Sequence, residues 1–444
     1  MTINYKNIGL FFLVACLILG TGFVQSWNTA LFILNMGLVS AIMALGVNLQ
    51  WGFAGLFNVG IMGFVALGGL AAVLISMPPT TEAWAAGGLQ VLLGLILGAA
   101  TVTGAILVQT RTAAGRTRNL TTIAILIGGF FIFRAVFDGG VAAVEAIDAA
   151  GTGYLGGLNF GGANYKDWGF MTLISWPVGG LLAAGVAWLI GKTALGLRSD
   201  YLAIATLGIS EIIIAVMKNE DWLSRGVKNV IGLPRPVPYE IELQESAGFI
   251  ERTSSLGLDP VTSSSIVVKL GYAGLFSIVL VIVLILAQLA LASPWGRMMR
   301  AIRDNEDAAE AMGKNVTARH LQIFILGSAI CGVAGAMMTT LDSQLTPASY
   351  QPLRFTFLVW VMVIVGGSGN NFGSVLGGFL IFFLWVQVEP MGAILIQILT
   401  SGMAEDNGLR LHLLESVAHM RLLTMGLILI LVLRFAPKGL IPEK

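Results

Sequence analysis

Charge is the scarcest ingredient of this chain. It has 25 Lys and Arg and 24 Asp and Glu in 444 residues, or 11%, where a soluble globular protein carries about a quarter. That shortage excludes an ordinary water-exposed surface, and with 56% hydrophobic residues it points to a membrane protein. A net charge of +1 leaves no broad basic face for nucleic acid. The two cysteines, Cys16 and Cys331, both lie in apolar runs, so neither a disulfide framework nor CxxC metal spacing is expected. The three histidines, His320, His412 and His419, follow no metal-ligand pattern and read as interfacial side chains. No G-x-x-x-x-G-K-[ST] loop occurs, so any ATP chemistry would belong to separate subunits. The apolar runs also lack paired Asp, Ser/His or HExxH arrangements, which argues against an intramembrane enzyme.

Long apolar runs take the place of charge. A crossing needs about 20 apolar residues. On that ruler segments fall at 8–24, 30–49, 53–75, 89–109, 120–137, 171–190, 201–217, 271–292, 321–341, 355–365, 373–388 and 422–433. Several are short or broken by glycine, so fewer than the full set are expected to span. Residues 391–400 extend their neighbour or lie in the interface. The first run follows Lys6 but is long enough to cross, and no small-x-small cleavage site follows it; it reads as a retained helix rather than a signal peptide. The 56 glycines suit close helix contact in a bilayer. The expected fold is an all-α polytopic bundle of roughly 8–12 transmembrane segments, some glycine-broken or re-entrant, forming one domain over residues 1–444.

Basic residues set the orientation. Arg111, Arg116 and Arg118, then Lys192 and Arg198, then Arg297, Arg300, Arg303, Lys314 and Arg319, and finally Arg434, Lys438 and Lys444 fall in alternate loops. Both termini are therefore expected in the cytoplasm, with residues 293–320 on that side. The segment 218–270 is expected outside, large enough for a gate cover or a docking surface.

Four features stand out from the apolar background. "RAIRDNEDAAEAMGKNV", residues 300–316, is the most water-loving stretch. Asp304 is its expected N-cap, Glu306 and Asp307 favour the helix dipole, and Ala308, Ala309, Ala311 and Met312 are helix formers. Gly313 is the stop, giving about two turns, or roughly 12 Å. Glu211 is a carboxylate in an apolar run, and two readings stand: a translocation-path residue, or a buried packing partner of Arg134. Gly366, Gly367, Gly369 and Gly373 surround Asn370 and Asn371, and mark either a re-entrant loop or a tight turn at the cytoplasmic face. Ser328, Gly332 and Ala336 recur every fourth residue, a packing pattern, and Trp51 and Trp360 read as anchors or packing.

The placement of Glu306, Ala308, Ala309 and Gly313 resembles the coupling loop of ABC importer permeases, an E-x-A-A-x-x-x-G pattern in a cytoplasmic loop. Further stretches are similar to the branched-chain amino acid family of such permeases, in its M-type member. They are "LRSDYLAIATLGISEII", "NEDWLSRGVKNVIGLPRP", "GRMMRAIRDNEDAAEAMGKNV", "GSAICGVAGAMM", "VMVIVGGSGNNFGSVLGG" and "LRFAPKGL", and more loosely "WGFAGLFNVGIMGFVALGG". The chain departs from the family at Ile214, where an arginine is frequent, and at "SRGVKN". It is also longer around residues 138–167, 240–269 and 401–420.

The resemblance implies a transport subunit without a catalytic centre, importing branched-chain or other neutral amino acids by alternating access. Its helix at Glu306–Gly313, Met312 included, would sit in a groove of an ATP-binding subunit. ATP and Mg would be held by those subunits, with no cofactor in this chain. The implied partners are a second homologous permease, an extracytoplasmic solute-binding protein, the small-molecule solute and the lipid of a bacterial inner membrane. Related permeases carry urea or short amides, which is the alternative solute class. An ion-coupled secondary transporter is the alternative mechanism, with Glu211 and the break at Gly366, Gly367 and Asn370 as its support.

Overall fold

Helices that are apolar all round must be buried in protein or lipid, and the structure is a bundle of such helices. It is a computed structural model that describes residues 5–147, 153–159, 169–197, 199–404 and 407–443. Arg198, Lys444 and much of the 138–167 insertion lie outside the described residues. The first half of the chain forms α1 (Tyr5–Val24), α2 (Trp27–Val47), α3 (Ile61–Ser76), α4 (Leu89–Arg111), α5 (Arg116–Glu145), α6 (Phe170–Ala194) and α7 (Ser199–Asn219). The second half forms α8 (Pro260–Ala292), α9 (Pro294–Asp304), α10 (Glu306–Ala311), α11 (Val316–Asp342), α12 (Pro352–Gly366), α13 (Asn371–Leu399) and α14 (Met420–Phe435). Among the described residues 10 helical runs are long and apolar enough to cross a membrane, with Ile61–Ser76 and Phe355–Gly366 as shorter apolar helices. The chain is an all-α, multi-pass membrane protein.

The centre of the bundle is built from α2, α3 and α11, with α6 against them. Every residue from Ile61 to Val73 is buried. Glycines permit this density: Gly68 abuts the Gly332 carbonyl, and Gly332 in turn lies against Gly179 of α6, where a Cβ would meet the Gly179 carbonyl oxygen at 2.5 Å. Gly332 and Ala336 of the every-fourth-residue pattern are therefore packing residues, as small residues at such crossings usually are. By contrast α4 and α5 form a hairpin to one side, fastened through Ala83, Val91, Val144 and Trp222.

Two boundaries differ from the sequence expectation. The run at 53–75 is not one helix. A π turn, Asn48–Gly52, closes α2, residues 55–60 have no regular structure, and α3 starts only at Ile61. Locally, the Asn58 side chain accepts the Gly60 N–H at 2.9 Å and Gly55 takes φ +70°, while Gly60 has no Cβ to strike the Thr206 carbonyl of a distant helix. At 16 residues, α3 rises about 24 Å, short of a hydrocarbon core of about 30 Å, and the irregular segment makes up the difference. The second change is that α8 begins at Pro260, capped by Asp259, rather than near 271. Of the two readings for residues 391–400, extension is the one formed: α13 continues across Pro390 to Leu399, with Thr400 as its C-cap.

The segment 218–270 forms a cap over one end of the bundle before it enters α8. Its strand β1 (Val230–Ile231) pairs antiparallel with β2 (Gln344–Leu345), with Val230 opposite Leu345. Arg235 fastens it further, donating to Ser343 Oγ at 2.6 Å while pairing with Glu240 at 2.8 Å. The opposite end gathers α9, α10, the end of α2, the α12–α13 turn and the C-terminal tail.

Candidate functional site

The charged stretch folds as two helices at an angle rather than one. Pro294 at the first position starts α9, and Met299 and Ile302, three residues apart, are fully buried and anchor it to the bundle. Two of its arginines serve α8: Arg297 and Arg300 donate to the Ala292 and Leu291 carbonyls, both at 3.3 Å. These are orphan acceptors at a helix C-terminus, where a cation is favoured.

The expected N-cap, Asp304, is not the cap. It ends α9 with its carboxylate beside Arg303 at 3.1 Å, and the extended residue falls one place later. Asn305, with φ −158°, caps α10 by accepting the Ala308 N–H at 2.9 Å. Glu306 and Asp307 occupy the first turn. Gly313 takes φ +76° and donates to the Glu310 carbonyl at 2.8 Å, while Lys314 donates to Ala309 at 3.2 Å. That pair of bonds is a Schellman closure. The helix is 6 residues long, none of them buried; Glu306 and Ala308 are exposed, Ala309 is half-buried against the bundle, and Met312 is 79% exposed.

Behind it lies a cavity of about 160 Å³ between α9, α10, α11, the start of α7 and the irregular segment. His320, expected at the interface, is instead buried beside it, because α9 and α10 fold back over the start of α11.

Arg303 joins three parts of the chain here. Its Nη1 donates to the Gly52 carbonyl at the end of α2 and to Glu443 of the tail at 2.9 Å. Burial works against its charge, but Glu443 and Asp304 outweigh that and hold the guanidinium above its ordinary pKa. The tail is laid along the α12–α13 turn: Leu440 and Ile441 donate to Val365 and Gly366, each at 2.9 Å. Gly367 (φ +122°) and Gly369 (φ +78°) leave room for Ile441 and Glu443. Asn370 caps α13, accepting from Phe372 at 3.0 Å, and donates to Pro442 at 3.1 Å. The glycine cluster forms the turn that joins α12 to α13.

A buried polar network, which the sequence reading missed, ties the irregular segment to its neighbours. Gln50 donates to the Phe324 carbonyl at 2.9 Å and to Ser328 at 3.1 Å, and accepts from Asn58 at 2.9 Å. Thr206 of α7 accepts the Val59 N–H at 3.1 Å, and Trp360 of α12 donates to the Asn58 carbonyl at 3.1 Å. Trp360 also packs edge-on to Trp51 and Phe57. Asn48 bridges to the turn, donating to Asn371 at 3.0 Å and accepting from Gly369 at 2.9 Å. Gly55, Asn58 and Gly60 inside an apolar run were the available signal, since such residues punctuate helices.

Glu211 stands apart from all of this. It is exposed on α7, and among the described residues it has no hydrogen bond or ion pair. Its expected partner, Arg134, pairs instead with Asp138 at 2.8 Å, one turn along α5. The packing pair is therefore not formed within this chain, because α5 belongs to the lateral hairpin.

The family model for branched-chain amino acid transport system / permease component proteins matches residues 146–433. This chain belongs to that family. The match takes in α9, α10 and the α12–α13 turn, while α2, α3 and the irregular segment precede it. The chain is 28% identical over 222 residues to the high-affinity branched-chain amino acid transport system permease protein LivM of Escherichia coli (strain K12), covering 49% of this chain and 51% of that one. It is 24% identical over 248 residues to the probable branched-chain amino acid transport permease protein LivM of Methanocaldococcus jannaschii, covering 56% and 61%. The fructose import permease protein FrcC of Rhizobium meliloti is 26% identical over a shorter 102 residues, covering 22% and 28%. The chain thus aligns over about half the length of the first of these curated relatives. No solved structure matches.

Proposed function

We propose that this chain is a membrane-spanning subunit of an ATP-driven, binding-protein-dependent importer for branched-chain or other neutral amino acids. The observation that carries the reading is α10: a helix closed at both ends by its own residues, with Met312 exposed, at the basic end of a chain belonging to this permease family. In this reading α10 seats in an ATP-binding subunit, with Glu306, Ala308, Ala309, Met312 and Gly313 as the contact, and small alanines permit close approach. ATP and Mg stay on that subunit. A second homologous permease completes the membrane unit, and a solute-binding protein delivers cargo at the cap formed by 218–270. The membrane is a bacterial inner membrane, with the basic end and both termini in the cytoplasm. Closure of the ATPase would push α10 and switch the bundle between outward- and inward-facing states. Glu211, a carboxylate exposed on an apolar helix, then needs cover from a partner or water, since such a charge is costly against lipid.

The test is the double variant Glu306→Arg with Ala309→Arg, which reverses the charge and adds bulk to the contact face. Uptake of radiolabelled leucine should fall to background while membrane insertion stays at the wild-type level. Normal uptake by the inserted variant would remove the coupling surface, and urea uptake without leucine uptake would move the substrate class.

A further inference from the structure

We infer that Arg303 is the positioning residue through which movement of α10 reaches the irregular segment 55–60, with Glu443 holding it in register. This rests on the functional reading of α10 given above. Arg303 sits in the last turn of α9, two residues before the joint at Asn305, so a push on α10 that is carried through the joint into the end of α9 displaces it. Its guanidinium reaches the Gly52 carbonyl, where α2 ends and the irregular segment begins. Its stem passes Gly55, where a Cβ would lie 3.4 Å from Arg303 Cγ. Arg303 therefore holds the chain by a hydrogen bond just before the segment, and its stem lies beside the segment's first residue.

The far end is gripped by the bundle. Asn58 is tied through Gln50 to α11, Val59 to Thr206 of α7, and the Asn58 carbonyl to Trp360 of α12. A six-residue stretch outside the regular helices thus joins the end of α9 to three membrane helices. Such a stretch changes φ and ψ at little cost, whereas the regular helices on either side cannot. The cavity of about 160 Å³ between this segment and α9–α10 is comparable with one that admits a benzene ring, so there is space for displacement. Glu443 completes the device. It pairs with the same Nη1 that serves Gly52, from a tail that is itself sewn onto the α12–α13 turn.

The chemistry requires arginine rather than a simple cation. A guanidinium spans several acceptors in a fixed fork, while an ammonium is a point charge on a flexible stem. The experiment uses the complete transporter, with its ATPase subunits, second permease and binding protein, reconstituted in proteoliposomes. Binding-protein-stimulated ATP hydrolysis and leucine uptake are measured together. Arg303→Lys should keep hydrolysis within about twofold of wild type while the ATP consumed per leucine rises about five- to tenfold, the range expected of a coupling residue. Glu443→Gln should raise the same ratio by a smaller factor, and it decides the matter if Arg303→Lys fails to assemble. The exchange Arg303→Glu with Glu443→Arg should remain uncoupled, because a carboxylate cannot donate to Gly52. An unchanged ratio in the assembled single variants overturns the inference. So does restored coupling in the exchange, which would reduce Arg303 to one half of an ion pair. A wild-type assembly that hydrolyses no ATP in response to binding protein would defeat the functional reading instead.

Discussion

Gln50 and Gly52 show how much of this protein rests on single side chains at one place. The Gln50 amide satisfies Asn58, Ser328 and a helix carbonyl at once, deep among apolar helices. An unpaired amide there would cost about 1–3 kcal/mol. Two residues on, Gly52 has no room for a methyl group: a Cβ would stand 2.5 Å from the Gly369 N and closer still to Asn48 Oδ1. Gly52→Ala should therefore destabilise the protein by about 2 kcal/mol, as overpacking typically does. Gly128→Ala is the control, since nothing lies within 4 Å of that position in mid-α5. Thermal denaturation in detergent should separate the two. Equal midpoints would show that the knot at Gly52, Asn48 and Gly369 relaxes freely.

At the scale of elements, local rules explain starts and stops, and titration can test one of them. Asp259 caps α8, accepting from the Thr262 N–H and hydroxyl, each at 2.8 Å. Those hydrogen bonds hold its pKa below the usual carboxylate value of 3.8. A lowered native pKa means the cap's contribution is fully present above 3.8 and fades as pH falls through the native value. Amide exchange at Thr262, corrected for its intrinsic rate, should keep its protection above pH 3.8 and lose it as pH falls further. Asp259→Asn keeps the accepting oxygen and should show no such step; a step of equal size would place the titration elsewhere. In α10 the same capping logic applies, with Asn305 rather than Asp304 filling the cap.

For the whole molecule, the alternation of passes puts the basic loops, α10 and the tail at one end, and the 218–270 cap and β1–β2 at the other. In a background without Cys16 and Cys331, single cysteines at Ala113, Met312 and Lys438 should react with a membrane-impermeant maleimide only after the cytoplasmic side is opened. Cysteines at Ile231, Ile241 and Leu409 should react in intact cells. All six positions are exposed. Labelling of Met312 from the same side as Ile231 would break the topology and, with it, the assignment of α10 to a cytoplasmic ATPase.

Much of this was legible in the residues because it depends on near neighbours. Most of the apolar runs, the short helix at Glu306–Ala311 and its glycine stop at Gly313 follow from spacing within a few positions, and these formed close to where the pattern placed them. The three-dimensional structure decided what depends on distant partners. Residues 55–60 lie in a run apolar enough to read as helix, yet they break because Thr206, Trp360 and Gln50 satisfy the freed backbone and the Asn58 amide. Glu211 and Arg134 looked like a pair by depth, but α5 stands off in a lateral hairpin. Arg303 was one basic residue among several until folding set it between Gly52 and Glu443, which is 140 positions away. Helix propensity and polarity act along the chain; the satisfaction of a buried polar group acts across it, and only the folded bundle supplies the other half.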